Sequence, residues 1–188
     1  MPDVAQALHA LRPSVVALAN NHMRTEGDVN AVWNALINVC YSFPEFTIAP
    51  EGTPVDGASV KGTVDLLVRQ AVAPRTAIVF FEGKAITGDS FKSIRTQLLG
   101  YLRQLPNTRT TAIWAIAARG HSVGISAGLR HNSLGNPEFY PLSYSTNTHL
   151  VTYGRAGAPD VTYDMVTHYD SVVEILNFIR NNSPNTNL

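Results

Sequence analysis

Cysteine, charged residues and long apolar runs are all scarce in this chain. Cys40 is the single cysteine among 188 residues, so no intrachain disulfide can form and a reducing compartment is favoured. No apolar run approaches the roughly 20 residues that a membrane-spanning helix needs, and residues 1–23 lack the pattern of a signal peptide. These absences argue against a secreted or membrane-spanning protein and predict an intracellular one, either cytoplasmic or nuclear.

The apolar content that is present suffices for one hydrophobic core. Apolar residues make up 45% of the chain, enough for a single sizeable core at this length. We therefore expect one domain over residues 1–188. Its parts are a core of about 27–119, C-terminal strands and a helix over 138–181, and a polar tail over 182–188 that frays.

Apolar periodicity predicts an order of helices and strands. Helical spacing and strand-like alternation are distinguished by their periods of 3.6 and 2 residues. The pattern predicts helices over 4–23, 28–41, 90–105 and 171–181, strands over 43–49, 62–70, 76–81 and 110–118, a glycine-rich bend over 120–129, and short strands between 139 and 168. The expected order around the core is therefore helix, three strands, helix, strand.

The formal net charge of zero hides an uneven distribution of charge. Residues 57–131 contain ten lysines and arginines and three acidic residues, so this stretch carries +7 and its flanks carry −7. A basic middle suits an anionic polymer such as nucleic acid. Lys61, Lys92 and Arg95 are candidate phosphate contacts, although ordinary solvated charges explain them equally well because no basic run is dense.

Asp65, Glu82 and Lys84 are the most informative residues of this basic stretch. Asp65 lies in a mostly apolar strand, and Glu82 and Lys84 follow a strand, 76–81, that is apolar on both faces. Oxygen ligands are preferred by Mg²⁺ and Mn²⁺, so the two carboxylates are candidate metal ligands, with the carbonyl of Ala85 or a neighbour as a further one. The alternative is that Asp65 only pairs with Arg69 or Lys61, and Glu82 with Lys84.

The placement of these residues resembles the PD-(D/E)XK nuclease superfamily. Lys61-Gly62-Thr63-Val64-Asp65 resembles its first acidic motif, and Glu82-Gly83-Lys84 resembles its (D/E)-x-K motif. Gln97-Leu98-Leu99-Gly100-Tyr101 resembles the Gln-x-x-x-Tyr box of its RecB-like and phage-exonuclease-like branch. The resemblance implies an α/β (α+β) fold with a restriction-endonuclease-like αβββαβ core, in which helices flank a mixed central sheet.

The resemblance also implies a function and roles for the matched residues. It implies a nuclease that uses Mg²⁺ or Mn²⁺ to activate water, with DNA favoured over RNA as substrate. Lys84 would orient or deprotonate that water, and Gln97 and Tyr101, which share a helix face, would position Lys84 or contact a phosphate. Glu26 is a weaker candidate metal ligand, with exposure near a helix start as the alternative. Gly83 would leave room for the substrate backbone.

Two other functions are compatible with the sequence. Gly120-His121-Ser122-Val123-Gly124 fits the Gly-x-Ser-x-Gly motif of serine hydrolases, with Asp160 or Asp164 and His168 as further triad members. Against this, the glycines continue where a hydrolase needs a long helix. A catalytically silent member of the nuclease fold, binding nucleic acid or protein, is the other alternative. The six histidines show no zinc-binding spacing.

Overall fold

The computed structural model describes residues 3–21, 23–53, 62–72, 76–105, 111–130 and 136–184. Within these ranges the chain forms four helices and eight strands. The helices are α1 (Val4–Asn21), α2 (Glu26–Cys40), α3 (Phe91–Gln104) and α4 (Tyr169–Asn181), and the strands are β1 (Phe46–Gly52), β2 (Val64–Gln70), β3 (Ala77–Lys84), β4 (Thr111–Arg119), β5 (Ser122–Arg130), β6 (Glu138–Ser145), β7 (Leu150–Tyr153) and β8 (Thr162–Asp164).

The strands form one mixed sheet in the order β1-β2-β3-β4-β5-β6-β7, with β8 paired to β5. The β3–β4 pair, joined through α3, is parallel, and the other described pairs are antiparallel. Helices α1, α2 and α4 pack on one face of the sheet and α3 packs on the other. The order α2, β1, β2, β3, α3, β4 confirms the predicted αβββαβ core and the mixed sheet flanked by helices.

Strand β3 lies between β2 and β4, and its side chains are apolar on both faces. Phe81 stacks on Trp33 of α2, with ring centroids 5.6 Å apart, and Phe80 meets the ring of Tyr101 of α3 edge to face at 6.4 Å. A strand covered on both faces needs such a pattern. The two layers therefore hold β3 rigidly and deliver its last residues, Glu82 and Lys84, at one edge of the sheet.

Several predicted boundaries were wrong. Helix α2 begins at Glu26 instead of residue 28 because Thr25 caps it: the Thr25 hydroxyl accepts the Asp28 N–H, and the Asp28 carboxylate accepts the Thr25 N–H. Strand β1 extends through Pro50, which is tolerated because β1 lies at the edge of the described sheet.

The last helix also differs from the prediction. It begins at Tyr169 instead of residue 171, and its N-terminus has no side-chain cap. Asn182, which was predicted to begin the tail, caps this helix through a bond from its side chain to the Phe178 carbonyl, and its own carbonyl accepts the indole N–H of Trp114 at 3.1 Å. The predicted tail beyond residue 184 lies outside the described ranges.

The segment at 120–129 was wrongly predicted as a bend. The turn is confined to Gly120 and His121, and Ser122–Arg130 forms the nine-residue strand β5, paired along its length with β4. The glycines are accommodated because neighbours fill the space that their side chains would take. A Cβ on Gly124 would stand 2.7 Å from the Cβ of Asp160, and one on Gly128 would stand 2.6 Å from the Phe139 ring.

Candidate active site

Asp65 and Glu82 converge where β2 begins and β3 ends. The antiparallel pairing of these strands places Leu66 opposite Phe81, so Asp65 lies beside the last residues of β3. The backbone N–H of Gly83 donates to Oδ2 of Asp65 at 2.8 Å. The structure thus brings together the two carboxylates that the sequence predicted to share a site, and it holds one of them by a backbone hydrogen bond.

The ammonium of Lys84 lies among three carboxylates. Its Nζ is 2.9 Å from Oε1 of Glu82, 3.0 Å from Oε1 of Glu26 and 3.9 Å from Oδ2 of Asp65. Burial alone would lower the pKa of Lys84, but the hydrogen bonds to Glu82 and Glu26 outweigh it and raise the pKa above its ordinary value. Lys84 is therefore a firmly protonated cation in this arrangement.

Glu82 is almost completely buried, with 4% of its surface exposed. Desolvation raises its pKa to about 7, against the opposing effect of the Lys84 hydrogen bond. Its Oε2 is buried and has no hydrogen-bond partner among the residues described. Burial also raises the pKa of Asp65, although the Gly83 N–H and the Lys84 charge oppose the shift. A buried acceptor without a donor is costly, so Oε2 of Glu82 is a candidate acceptor for a further positive group such as a metal ion.

Glu26 reaches the site because α2 begins there. Thr25 caps the helix, and Glu26, its first residue, extends to Lys84 while remaining about half exposed. Asn30, one turn along α2, was not singled out from the sequence. Its side chain lowers the pKa of Asp65 by hydrogen bonding, and its own Oδ1 is buried without a partner in the described part of the chain.

Gly83 serves packing rather than substrate access, which corrects the expectation from the sequence. A Cβ at this position would contact the side-chain oxygen of Asn30 and would stand 3.1 Å from Cγ1 of Val29, both on α2. The missing side chain therefore lets α2 lie directly against the end of β3. That contact is what brings Glu26 within reach of Lys84.

Gln97 and Tyr101 lie on the face of α3 that covers the site. The Tyr101 hydroxyl donates to the carbonyl of Thr63 at 2.7 Å, which fixes the chain just before Asp65. Burial, followed by the charges of Glu82 and Asp65, raises the pKa of Tyr101 to about 12. The Gln97 amide lies 3.4 Å from Asp89, and its Oε1 is buried without a described partner. Neither side chain bonds to Lys84 in the described structure, so Tyr101 positions β2 instead.

The three predicted phosphate contacts have different outcomes. Lys61 lies outside the described residues, and Lys92 is exposed in the first turn of α3, where its contact with phosphate stays a prediction. The contact of Arg95 with phosphate also stays a prediction. The Arg95 guanidinium lies 3.3 Å from Oδ1 of Asp160 and donates to the carbonyl of Phe139 at 3.0 Å, so it holds the segment after β7 against α3.

The serine-hydrolase alternative does not fit the geometry. Ser122 begins strand β5 instead of occupying a strand-to-helix turn, and no described histidine bonds to its hydroxyl. The carboxylate of Asp160 instead accepts the hydroxyl of Ser126 at 2.7 Å, and His168 Nδ1 lies 2.9 Å from its neighbour Thr167. Asp160 and His168, two of the proposed triad members, therefore have other partners.

The architecture is the restriction-endonuclease-like α+β fold. A chain in the cryo-electron microscopy structure of a DrdV–DNA complex is similar, with a TM-score of 0.52 at 12% sequence identity, over 96% of this chain and 98% of that chain. At such identity the likeness shows the fold alone. No family model and no curated protein matches the chain. None of the described helices is long and apolar enough to span a membrane.

Proposed function

We propose that this chain is a metal-dependent nuclease of the PD-(D/E)XK superfamily that hydrolyses phosphodiester bonds in DNA. The observation that carries the proposal is the convergence of Asp65 and Glu82 on the Lys84 ammonium at one edge of the sheet. DNA is favoured over RNA because a similarly folded chain belongs to a complex of DrdV with DNA. The net positive charge of residues 57–131 supports a polyanionic substrate.

The donor set suits Mg²⁺ or Mn²⁺. Asp65 and Glu82 supply carboxylate oxygens, and the unpartnered Oε2 of Glu82 is an acceptor ready for a cation. The carbonyl of Ala85 already accepts the Gly88 N–H at 2.8 Å, which leaves it one further lone pair. The described residues contain no preformed cluster of three or more acidic, histidine or cysteine ligands. Water and substrate phosphate would complete the coordination, as is usual for Mg²⁺.

The residues of the chain divide the chemistry between them. A bound Mg²⁺ would lower the pKa of a coordinated water and offset charge on the phosphate. Asp65 is held in place by the Gly83 N–H, so its oxygens have a defined direction. Lys84, as an ammonium, donates hydrogen bonds that orient the attacking water and stabilise negative charge developing on the phosphate. Tyr101 supports this geometry through Thr63.

The proposal is tested by incubating the protein with labelled single- and double-stranded DNA and RNA, in Mg²⁺, Mn²⁺ or chelator. We expect DNA cleavage that requires the metal and that falls at least about 100-fold in Lys84→Ala. Glu138→Gln, an exposed change in β6, which β4 and β5 separate from β3, is the control and should cleave as wild type does.

Cleavage in chelator, or equal cleavage by wild type and Lys84→Ala, would contradict the proposal. Binding of DNA without cleavage in either metal would instead identify the silent nuclease-fold alternative.

A further inference from the structure

Arg119 lies beside Lys84 on the same face of the sheet. It is the last residue of β4, and the parallel pairing of β3 with β4 places it opposite Lys84. Ala115 and Ala117 belong to the apolar cluster under α3, so alternation along the strand puts Arg119 on that face. Phe80 belongs to the same cluster, which places Glu82 and Lys84 there too. The arginine is thus one strand away from the candidate active site.

Arg119 lacks the partners that other partly buried arginines of this face have. Arg95 is bound by Asp160 and two carbonyls. By contrast, Nε of Arg119 is buried without a hydrogen-bond partner in the described ranges, and no described carboxylate forms an ion pair with its guanidinium. A buried N–H donor that lacks an acceptor is costly. The arrangement therefore favours an anion that the described residues do not supply.

Ser122 extends this row onto the next strand. It is the first residue of β5 and is paired with Arg119 across the β4–β5 hairpin. Val123 and Ile125 face the opposite cluster, so Ser122 faces the same side as Arg119 and Lys84. Its hydroxyl has no described hydrogen-bond partner. Lys84, Arg119 and Ser122 thus form a row across three neighbouring strands, in which only the ammonium is already neutralised by carboxylates.

We propose that Arg119 and the Ser122 hydroxyl form a phosphate subsite, which binds the DNA phosphate next to the one at Asp65, Glu82 and Lys84. The inference rests on the proposed nuclease function and adds to it the residues that set the path of the strand. The planar guanidinium suits this role because it can donate two parallel hydrogen bonds to one phosphate. A serine hydroxyl beside it is a further donor to the same oxygens.

The test replaces one phosphate at a time with an uncharged methylphosphonate in a duplex substrate. Wild type should lose about 10- to 100-fold in kcat/KM at one position flanking the cleaved bond, as expected for a charge-assisted contact. Arg119→Met should show a similar loss on the unmodified duplex and no further loss at that position. The loss from the variant and the loss from the methylphosphonate should therefore not add, as expected for a direct contact. A purely structural defect would lower activity but leave the wild-type sensitivity to the methylphosphonate unchanged.

Three further variants keep the test decisive. Arg119→Lys retains the charge and should lose less activity than Arg119→Met, and Ser122→Ala should weaken binding by a few-fold. Arg103→Met, an exposed change in the last turn of α3, is the control for loss of one positive charge and should retain the methylphosphonate sensitivity of wild type. Thermal unfolding of each variant identifies those that fail to fold.

Binding measured in chelator separates this inference from the proposed function. DNA affinity of Arg119→Met should fall, and the slope of log K against log salt should lose about one unit relative to wild type. If wild type does not cleave, this binding measurement still decides the subsite. The subsite is overturned if Arg119→Met binds with the wild-type salt slope, or if it keeps the wild-type sensitivity to every methylphosphonate.

Discussion

The backbone N–H of Gly83 donates to Oδ2 of Asp65 at 2.8 Å. The Glu82-Gly83-Lys84 motif therefore holds the carboxylate of the acidic motif that ends at Asp65. This hydrogen bond crosses from β3 to β2 and survives in Asp65→Asn, because an amide oxygen also accepts an N–H. The variant therefore removes the negative charge while keeping the local geometry. Asp65→Asn therefore tests the role of the Asp65 charge in metal binding separately from its role in folding.

We expect Asp65→Asn to lower kcat by more than about 100-fold and to weaken Mn²⁺ binding, while changing the free energy of unfolding by less than about 1 kcal/mol. Titration calorimetry with Mn²⁺ and urea unfolding in chelator measure the two effects. Wild-type cleavage by this variant would show that Asp65 is not a metal ligand.

Glu82 is predicted to destabilise the metal-free protein at high pH. The pKa of Glu82 is raised to about 7 in the folded chain and is about 4.3 in an unfolded one. The folded state therefore binds the proton more tightly. The stability that Glu82 contributes is complete below about pH 4 and is lost as the pH rises through about 7.

Glu82→Gln does not titrate, so its stability relative to wild type should increase by about 1–3 kcal/mol between about pH 4.5 and about pH 8 in chelator. Urea unfolding at the two pH values measures the difference, with Glu138→Gln as the exposed control. A difference that is independent of pH would mean that burial does not perturb this carboxyl.

Alanine substitution should change the free energy of unfolding in opposite directions at Gly83 and Gly100. Gly83→Ala should cost about 1–3 kcal/mol, because its Cβ would press on Asn30 and on Val29 of α2. Gly100→Ala should stabilise the protein by about 0.5–1 kcal/mol, because this position lies inside α3 with open space around it. Denaturant unfolding of both variants checks the pair, and a destabilised Gly100→Ala would contradict the open space around this position.

Tyr101→Phe should show whether the Tyr101 hydroxyl positions the start of β2 or contacts the substrate directly. It removes the hydrogen bond to the Thr63 carbonyl, which is worth about 1 kcal/mol, and keeps the ring against Phe80. Because the start of β2 then loosens around Asp65, we expect kcat to fall several-fold with KM nearly unchanged. Steady-state kinetics on DNA measure the split. A loss confined to KM would instead place the hydroxyl on the substrate.

Cys40 should be unreactive in the native protein. It is 1% exposed at the end of α2, and burial raises its pKa to about 12, so almost no thiolate exists at neutral pH. As the single cysteine, it gives an unambiguous signal with a thiol-specific reagent. We expect labelling to be at least about 1,000-fold slower in the native protein than in urea. Rapid native labelling would show that the α2 layer opens locally.

The sequence predicted those parts of the fold in which a local pattern determines the environment. Strand β3 is apolar on both faces and α3 is amphipathic with a serine cap, and both lie where the periodicity placed them. Strand β5 was missed because glycines commonly interrupt strands, whereas here Asp160 packs over Gly124 from a distant part of the chain. For the same reason the sequence did not indicate the ion pair of Arg95, whose partner Asp160 lies 65 residues away.

The sequence by itself determined the chemistry available to this protein: two carboxylates and a lysine on two neighbouring strands, with a glutamine and tyrosine one helical turn apart. Only the tertiary structure decided how these groups interact. The packing of α2 against Gly83 adds Glu26 to the carboxylates around Lys84. The pairing of β4 with β3 places Arg119 beside them, and no carboxylate in the described ranges pairs with it. Burial and pairing depend on which segments meet in space, and these contacts set the charge of each group and the space left for an anion.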